Sequence, residues 1–453
     1  MYRLASRQAD YSEGEMMKTM RFGRLALVML VAGGLVVQSG CSDEPTGPRN
    51  ELKQYDAEVA TAWFGLLNEL VKSEGLAAPV AARAYGYAGV TLYESVVGGM
   101  ETHQSLVGQL NGLTEVPQVS RGEAYHWPTV ASSAMAEITQ RLFPDATADD
   151  SAAITDLEGR LAEEFRPQVG QAVFNRSVAY GREVGSAIYS WAFTDGSALL
   201  NNCAFIPPQG TGLWVPTPPD YRPALQPCWG ELRPLALELP TDCQPVAPLP
   251  YDEDKNSPFY AETREVYLAS ITPEQREIAL YWSDDPGATC TPPGHWTSIL
   301  GQIVDSNKYT LDIAVEAYAR LGIALADAFI SCWRTKFMYD RLRPVTAIHD
   351  FMDESWLPLI NTPPFPEYTS EHAVQSGAAA QVLTDLFGHR GFVDHTHDTR
   401  GLTPRTFNSF FDAADEAAMS RLYAGIHYRS SITTGLEQGI CIGHRISALQ
   451  FGP

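Results

Sequence analysis

The sequence is poor in positive charge. Its 453 residues include 32 Lys or Arg against 54 Asp or Glu, which gives a formal net charge of −22 at pH 7. A nucleic-acid-binding surface needs many Lys and Arg side chains to neutralise phosphates, so the composition argues against a nucleic-acid partner. An acidic protein that binds an anion must gather its few cations at one place, and clusters of Lys and Arg are therefore informative here.

The sequence also lacks the alternating pattern of strands, the turn signals of hairpins and any internal repeat. From about residue 55 its apolar residues recur instead with the spacing of amphipathic helices. The pattern predicts an all-α fold of two helical bundles, with helices beginning near 55 and then near 79–99, 122–143, 148–165, 168–193, 273–283, 295–304, 309–335, 371–388, 405–425 and 431–448.

A Pro- and Cys-rich segment with little periodicity interrupts the helical pattern. We expect it to be an irregular excursion over 200–264, between an N-terminal bundle at 55–199 and a C-terminal bundle at 265–453. One or two disulfides are expected among the cysteines of irregular sequence, Cys203, Cys228, Cys243 and Cys290. Cys332 and Cys441 lie within helical patterns and are predicted to be buried thiols.

The apolar run near the N-terminus, LALVMLVAGGLVV, is too short and too interrupted by glycine for a confident membrane-spanning helix. Near the N-terminus, Lys18, Arg21 and Arg24 precede a short apolar run that ends at Ser39-Gly40 and Cys41. This order is typical of a secretory signal, predicted over 1–41 and followed by a polar tether at 42–54. A cysteine after two small residues is similar to a bacterial lipobox, so we expect export to the periplasm or cell surface and membrane attachment through a lipid on Cys41. Ordinary secretion and a retained anchor are the alternatives.

Three short segments of the C-terminal half carry conspicuous polar residues. The first, KFMYDRLRPV, holds Lys336 and Arg343. The two are seven residues apart, which places both on nearly the same face if the preceding helix continues. Taken alone, they are more simply explained as solvated cations at a helix C-terminus.

In the second segment, TPPFPEYTSEHAV, Ser370 can cap the helix that follows. The first N–H groups of that helix lack intrahelical partners and suit an anion, and His372 falls in the same turn. A plain cap with an exposed histidine explains this segment alone equally well. The third segment, SRLYAGIHYRSS, holds Arg421 and His427, and Gly425 is expected to end a helix between them. By itself His427 is more simply a structural histidine.

Together the segments resemble the vanadium-dependent haloperoxidases and the type-2 phosphatidic acid phosphatases, which share K-x6-R-P, P-S-G-H and S-R-x5-H-x3-D. The sequences PPFP-x-Y before Ser370, GAA after His372 and G-x-H-Y-R around His427 favour the haloperoxidase branch. The resemblance extends over roughly 55–450 and implies a helical two-bundle fold with a vanadate cofactor.

The resemblance also implies a role for each matching residue. His427 would bind the metal and His372 would act as acid and base. Phe365 would line the halide region, although by residue type it is equally a core or wall aromatic. Vanadate oxygens would be held by Lys336, Arg343, Ser370, Arg421 and the backbone N–H of Glu371. The substrates would be hydrogen peroxide, a halide such as bromide or chloride, and an organic acceptor.

Two alternatives stay open. In a phosphatase of the same superfamily, His427 would attack phosphorus of a phosphate ester and His372 would protonate the leaving alcohol. A non-catalytic lipoprotein would bind only an oxyanion or a partner. Three positions depart from the family pattern and leave these alternatives open, Thr369 for proline, Glu371 for glycine and Ser431 for aspartate.

The aspartate that Ser431 replaces would orient the metal-binding histidine. Glu437 and Asp415 are the sequence candidates to replace it for His427. One further segment, VDHTHDTRG, is dense in His and Asp at Asp394, His395, His397 and Asp398. Such loops are usually polar surface, and a second metal site is the less favoured interpretation.

Overall fold

A computed structural model describes residues 51–269 and 271–452. Its α-helices are α1 Glu58–Ser73, α2 Ala78–Val96, α3 Trp127–Leu142, α4 Ala148–Phe165, α5 Gln171–Ala192, α6 Pro258–Leu268, α7 Pro273–Tyr281, α8 Thr291–Asn307, α9 Leu311–Tyr339, α10 Pro344–Phe351, α11 Glu371–Phe387, α12 Phe410–Tyr423 and α13 Arg429–Ser447. Two three-residue strands, β1 Phe392–Asp394 and β2 Arg405–Phe407, pair antiparallel. The all-α prediction is confirmed.

The helices α6 and α10 were not predicted from periodicity. Both are short, and both begin with a proline, Pro258 and Pro344. Proline suits the first position of a helix because its missing N–H would be unpaired there in any case. The Pro-rich sequence around α6 and α10 was interpreted as irregular, although a proline favours the start of a helix.

The helix α9 lies at the centre of the fold and is buried along most of its 29 residues. It packs against α2 at a crossing of small residues. A Cβ atom at Gly89 would lie 2.5 Å from the carbonyl oxygen of Tyr318, and one at Gly322 would lie 2.5 Å from that of Tyr85. Only glycine permits this approach of the two backbones, and it places the C-terminal end of α9 deep in the protein.

A second close crossing joins α11 and α13. A Cβ atom at Gly439 would lie 2.0 Å from the carbonyl oxygen of Val374, and one at Gly377 would lie 2.6 Å from that of Leu436. The starts of the two helices are also joined, because Ser370 N donates to the carbonyl oxygen of Ser431 at 3.3 Å. The crossing therefore fixes the segments that carry the second and third sequence motifs relative to each other.

The irregular segment between α5 and α6 is bound to the scaffold through its backbone. Trp214 N donates to Asp340 O at 2.7 Å, and Leu225 N donates to Pro364 O at 2.8 Å. The buried carboxylate of Asp327 on α9 accepts hydrogen bonds from three successive backbone N–H groups, those of residues 235–237. The irregular segment thus holds the turn at Asp340 within the first motif and the loop at Pro364 within the second.

Disulfides join Cys203 to Cys228 and Cys243 to Cys441. The first pair lies within the irregular sequence, as expected. The prediction that Cys441 is a thiol was wrong, because its position on α13 lies against the irregular segment. Cys290 and Cys332 are free, and Cys332 is buried as predicted.

The predicted signal at 1–41, with Cys41, lies outside the described residues, as does most of the tether at 42–54. Residues Glu51–Gln54 form a short 3-10 helix in which Leu52 is buried. The bundle boundaries at 199/200 and 264/265 stay predictions. Every helix in the described ranges is too short or too polar to cross a bilayer.

Candidate oxyanion site

The polar residues of the three motifs lie at the ends of five helices. All six side chains are buried. They are Lys336 in the last turn of α9, Arg343 before α10, Ser370 before α11, His372 in the first turn of α11, Arg421 in the last turn of α12, and His427 before α13. Buried cations are costly unless they have partners, so this convergence needs a chemical reason.

Breaks in the backbone bring these helix ends together. Asp340 has φ of 45° and ends α9 four residues after Lys336. The helix does not continue to Arg343, so the expectation that the two cations share a helical face was wrong. They meet because the chain turns back. Gly425, with φ of 82°, separates α12 from His427 as the sequence predicted.

A cavity of about 510 Å³ opens at this point. Its lining includes Asp284, Phe365, Glu371, His372, Arg421 and His427. Lys336, Arg343 and Ser370 are fully buried, and Arg343 touches the lining directly through Phe365 and His427. The pocket wall therefore includes two histidines and two arginines, Arg222 and Arg421, with further cations behind it.

Lys336 holds the loop before α11. Its Nζ donates to the carbonyl oxygens of Pro366, Glu367 and Thr369 at 3.0, 3.1 and 2.6 Å. These bonds occupy all three N–H groups of the ammonium. Burial lowers the pKa of Lys336 to about 8. In this structure Lys336 shapes the loop and adds positive charge to the site.

Arg343 offers an unused donor. Its Nε donates to Phe365 O at 2.8 Å and its Nη1 donates to Ile426 O at 2.9 Å, but its buried Nη2 has no hydrogen-bond partner. Burial lowers the pKa of Arg343 to about 10, and that of Arg421 to about 10 as well. Both guanidinium groups stay charged at neutral pH, so each adds a fixed positive charge to the pocket.

His427 is oriented by a carboxylate. Its Nδ1 lies 2.8 Å from Glu367 Oε1, and its Nε2 lies 3.1 Å from Nη1 of Arg343. Burial, with the charge of Arg343, holds the pKa of His427 well below its usual value, so the ring is neutral. Because the carboxylate accepts from Nδ1–H, the lone pair is on Nε2, which faces the cations. A metal or an electrophile could use that lone pair.

Glu367 was missed by the sequence analysis, which noted it only as the variable position of PPFP-x-Y. Its carboxylate is fully buried and also lies 3.5 Å from Arg341. Neither sequence candidate contacts His427 in the same way, since Asp415 and Glu437 are both exposed. The usable signal was an acidic residue within an apolar, Pro-rich run.

His372 and Glu371 lie side by side at the start of α11. His372 Nε2 lies 2.9 Å from the carbonyl oxygen of Trp282, which can only accept, so Nδ1 carries the lone pair. Burial, then the charge of Arg421, holds the pKa of His372 well below its usual value. Burial raises the pKa of Glu371, whose Oε2 has no hydrogen-bond partner and whose Oε1 lies 3.6 Å from His372 Nδ1.

The groups left unpaired fit a tetrahedral oxyanion. Arg343 Nη2 and the hydroxyl of Ser370 are buried donors without partners, and Ser370 does not use its side chain to cap α11. The first N–H groups of α11 add backbone donors. Glu371 is one of four acidic residues in the lining, with Asp220, Asp284 and Asp285, and protonation of Glu371 would remove its share of the repulsion.

A second polar cluster lies beside the pocket. Asp284, His295, Asp394 and His397 are all buried, and His295 lies between the carboxylates of Asp284 and Asp394. The expectation of polar surface for the His/Asp-rich loop holds for His395 and Asp398, which are exposed and paired with each other. It was wrong for Asp394 and His397.

Comparison with known proteins identifies relatives of this chain. A family model described as the VCPO second helical-bundle domain matches residues 316–450, which include every motif residue discussed above. The chain is similar to the crystal structure of a bacterial vanadium-dependent iodoperoxidase, with 35% identity, a TM-score of 0.82, and coverage of 88% of this chain and 98% of that one. A bacterial vanadium-dependent chloroperoxidase has the same fold at 13% identity, with a TM-score of 0.66 and coverage of 84% and 95%.

Vanadium chloroperoxidase of Curvularia inaequalis is 24% identical over 220 residues. This match covers 35% of the chain and only 36% of the length of that relative.

Proposed function

This chain belongs to the vanadium-dependent haloperoxidases, and we propose that it oxidises a halide with hydrogen peroxide at the pocket around His427. One observation carries the proposal. The Nδ1 of His427 is bonded to Glu367, and its Nε2 lone pair faces Arg343 in a buried, cation-lined pocket. A neutral imidazole held in one tautomer by a carboxylate is a typical metal ligand.

The residues fit vanadate as the cofactor. His427 Nε2 would ligate the vanadium, while Arg343 Nη2, Ser370 Oγ and Arg421 would hold its oxygens. Lys336 would act through the loop that it fixes and through its charge. Bound vanadate would supply the Lewis-acid centre at which hydrogen peroxide is activated towards a halide.

His372 is suited to move a proton at this site. Its Nε2–H is bonded to Trp282 O, so its free Nδ1 faces the pocket side on which Glu371 lies. Because its pKa is low, the ring is neutral at neutral pH and can accept a proton from hydrogen peroxide. Phe365 and Trp333 form an apolar wall, with ring centroids 4.9 Å apart, that limits water near the reacting atoms.

We propose iodide as the preferred halide. The relative with 35% identity is named an iodoperoxidase, and iodide is the most easily oxidised of chloride, bromide and iodide. Bromide and chloride, named above from the family resemblance, would then be weaker substrates. An organic acceptor would be iodinated by the oxidised halide.

One preparation assayed with and without orthovanadate tests the function. Oxidation of iodide by hydrogen peroxide should require vanadate and should be lost in His427→Ala. The matched control is His389→Ala, which removes an exposed histidine two residues after the end of α11. Vanadate affinity should fall more than about 100-fold in His427→Ala, since even a partner of a ligand is commonly worth 10–100-fold.

Two other results would reject the proposal. Release of phosphate from a simple ester, inhibited by vanadate and dependent on His427, would establish the phosphatase alternative. If neither activity occurs and His427→Ala leaves vanadate affinity unchanged, the pocket is not a vanadate site.

We also propose that the protein is exported and anchored by a lipid on Cys41. The order of basic residues, apolar run, small residues and cysteine supports this proposal. Radiolabelled palmitate should be incorporated into the full-length chain expressed in a bacterial host and should be absent from Cys41→Ser. Equal labelling of Cys41→Ser would contradict it.

A further inference from the structure

The second cluster described above consists of Asp284, His295, Asp394 and His397, of which Asp284 alone reaches the lining of the oxyanion pocket. Asp284 follows α7, His295 lies on α8, and His397 lies in the loop between β1 and β2. One potential ligand atom from each of these three residues lies within 4.8 Å of the other two. All three side chains are at least 98% buried. Exposed His and Asp side chains need no special explanation, but buried ones that converge from three separate elements do.

Two atoms of the cluster face each other without forming a hydrogen bond. Asp284 Oδ1 and His397 Nε2 lie 3.1 Å apart, yet they are not aligned for a hydrogen bond, and each is buried without a hydrogen-bond partner. Leaving such a pair unmade is costly in a protein interior.

His295 supplies the third potential ligand atom. Its Nδ1 lies 2.9 Å from Asp284 Oδ2, and its Nε2 lies 2.7 Å from Asp394 Oδ2. Asp394 also accepts bonds from the backbone N–H and hydroxyl of Thr396 through its other oxygen. A carboxylate that receives the outer N–H of a metal-binding histidine is a common arrangement around zinc, and it leaves Nδ1 for the metal.

We propose that Asp284, His295 and His397 bind a divalent metal ion, with Zn²⁺ as the preferred ion and Asp394 orienting His295. Zinc takes His nitrogen and carboxylate oxygen at about 2.0–2.1 Å in a tetrahedron, which places ligand atoms about 3.3 Å apart. His295 Nδ1 lies 2.9 Å from Asp284 Oδ2, and His397 Nε2 lies 3.1 Å from Asp284 Oδ1, and both distances are close to that separation of ligand atoms. A fourth position would be filled by water.

The charges of the cluster favour the same ion. Without a metal, both ring nitrogens of His295 lie at hydrogen-bond distance from carboxylate oxygens, so one imidazolium charge faces the two carboxylates of Asp284 and Asp394. A divalent ion that replaces the Nδ1 proton balances both carboxylates within the cluster. Zinc is the ion of choice for a mixed set of two imidazoles and one carboxylate, whereas Mg²⁺ and Ca²⁺ prefer oxygen ligands.

The site would lie next to the acid–base histidine without being part of it. The Trp282 ring stacks on His295 at a centroid distance of 4.3 Å, and the Trp282 carbonyl accepts the bond from His372. A metal there would fix the segment after α7, and it would do so whether or not vanadate is bound.

Metal content tests the proposal without any assay of activity. Chelator-treated protein is titrated with Zn²⁺, dialysed and analysed by mass spectrometry of the metal, and a parallel titration with Co²⁺ is followed by its visible absorption. Wild-type protein should retain about one ion per chain and should melt several degrees higher with the ion than without it. His397→Gln should lose both the ion and the cobalt spectrum.

The chain offers a matched control two residues away. His395→Gln removes an exposed histidine of the same loop, paired only with Asp398, and should retain the metal. Asp394→Asn keeps the three ligands and should weaken metal affinity by about 10–100-fold. A wild-type chain that retains no ion would overturn the proposal, as would equal retention by His397→Gln. If His397→Gln does not fold, wild type and Asp394→Asn are compared instead. Weaker metal affinity in Asp394→Asn supports the proposal, and equal affinity in the two proteins overturns it.

Discussion

The carboxylate of Glu367 sets the electron density of His427. It accepts from Nδ1 at 2.8 Å, so it polarises the ring and strengthens Nε2 as a ligand. In Glu367→Gln the amide oxygen can keep the hydrogen bond but not the charge. Vanadate affinity should therefore fall by about 10–100-fold.

Equilibrium dialysis against vanadate measures this loss. Glu437→Gln, which changes an exposed glutamate on α13, should bind vanadate like the wild type. Because Glu367 also lies near Arg341, the melting temperature of each variant is recorded to separate affinity from stability. Unchanged affinity in a folded Glu367→Gln would contradict the assigned role.

The buried carboxyl group of Glu371 should make both stability and anion affinity depend on pH. Since burial raises its pKa in the folded protein, the folded state keeps this proton to a higher pH than the unfolded chain does. Ionisation of Glu371 therefore lowers the free energy of unfolding as the pH rises from the ordinary pKa of a glutamate through the pKa of Glu371 in the folded protein. Above that window an ionised Glu371 would also repel an oxyanion.

Glu371→Gln keeps the shape and removes the titration. Its vanadate affinity should exceed that of wild type at neutral pH by about tenfold or more, since like charges a few ångströms apart cost roughly 1–4 kcal/mol. The advantage should shrink as the pH falls through the pKa of Glu371. Dialysis over a pH series checks this, and a constant ratio of the two affinities would show that Glu371 does not titrate there.

Spacing in the sequence was sufficient to find most of the pocket residues, because three short motifs each hold their residues at fixed separations. It could not find Glu367, whose contact with His427 spans 60 residues and depends on how the loop before α11 folds. It also could not assign Lys336 to backbone carbonyls, since which donors remain free depends on the loop that Lys336 itself holds.

At the scale of elements, the approach of α11 and α13 positions Ser370 relative to His427. Gly439→Ala places a Cβ where the Val374 carbonyl oxygen lies, at 2.0 Å, and backbone cannot yield as a flexible side chain can. The helices must separate, so the free energy of unfolding should fall by about 1–3 kcal/mol or more. Urea unfolding monitored by circular dichroism measures it.

Gly159→Ala is the matched control. Gly159 lies on the exposed side of α4, and a Cβ there meets nothing within 4 Å. This substitution should raise the free energy of unfolding by about 0.5–1 kcal/mol, because glycine is a poor helix former. A loss of stability in Gly159→Ala that equals the loss in Gly439→Ala would mean that the crossing is not specific.

Helical periodicity predicted the long elements well because each buries one continuous face. Its failures have a physical origin. The residue Asp340 ends α9 in a left-handed conformation that nothing in the apolar pattern announces, and α10 is too short to show a period. Close helix crossings were also invisible, since a glycine within a helical pattern gives no indication of the backbone that approaches it.

At the scale of the whole molecule, the irregular segment is part of the site's support. Its backbone holds the turn at Asp340 and the loop at Pro364, and a disulfide ties it to α13. Sequence could predict that this segment was irregular and cross-linked. It could not predict the partner of Cys243, because that pairing is set by the packing of α13 and not by the local sequence.

The Cys243–Cys441 disulfide should therefore contribute more to stability than the Cys203–Cys228 disulfide. The two close loops of 198 and 25 residues, for which the chain-entropy description gives about 5 and about 3.5 kcal/mol. The double variant Cys243→Ser/Cys441→Ser should lose more free energy of unfolding than Cys203→Ser/Cys228→Ser, measured in urea without reductant. It should also bind vanadate less tightly, because release of the irregular segment loosens the turn before Arg343. Equal losses in the two double variants, with unchanged vanadate affinity, would mean that the irregular segment is held by its backbone hydrogen bonds alone.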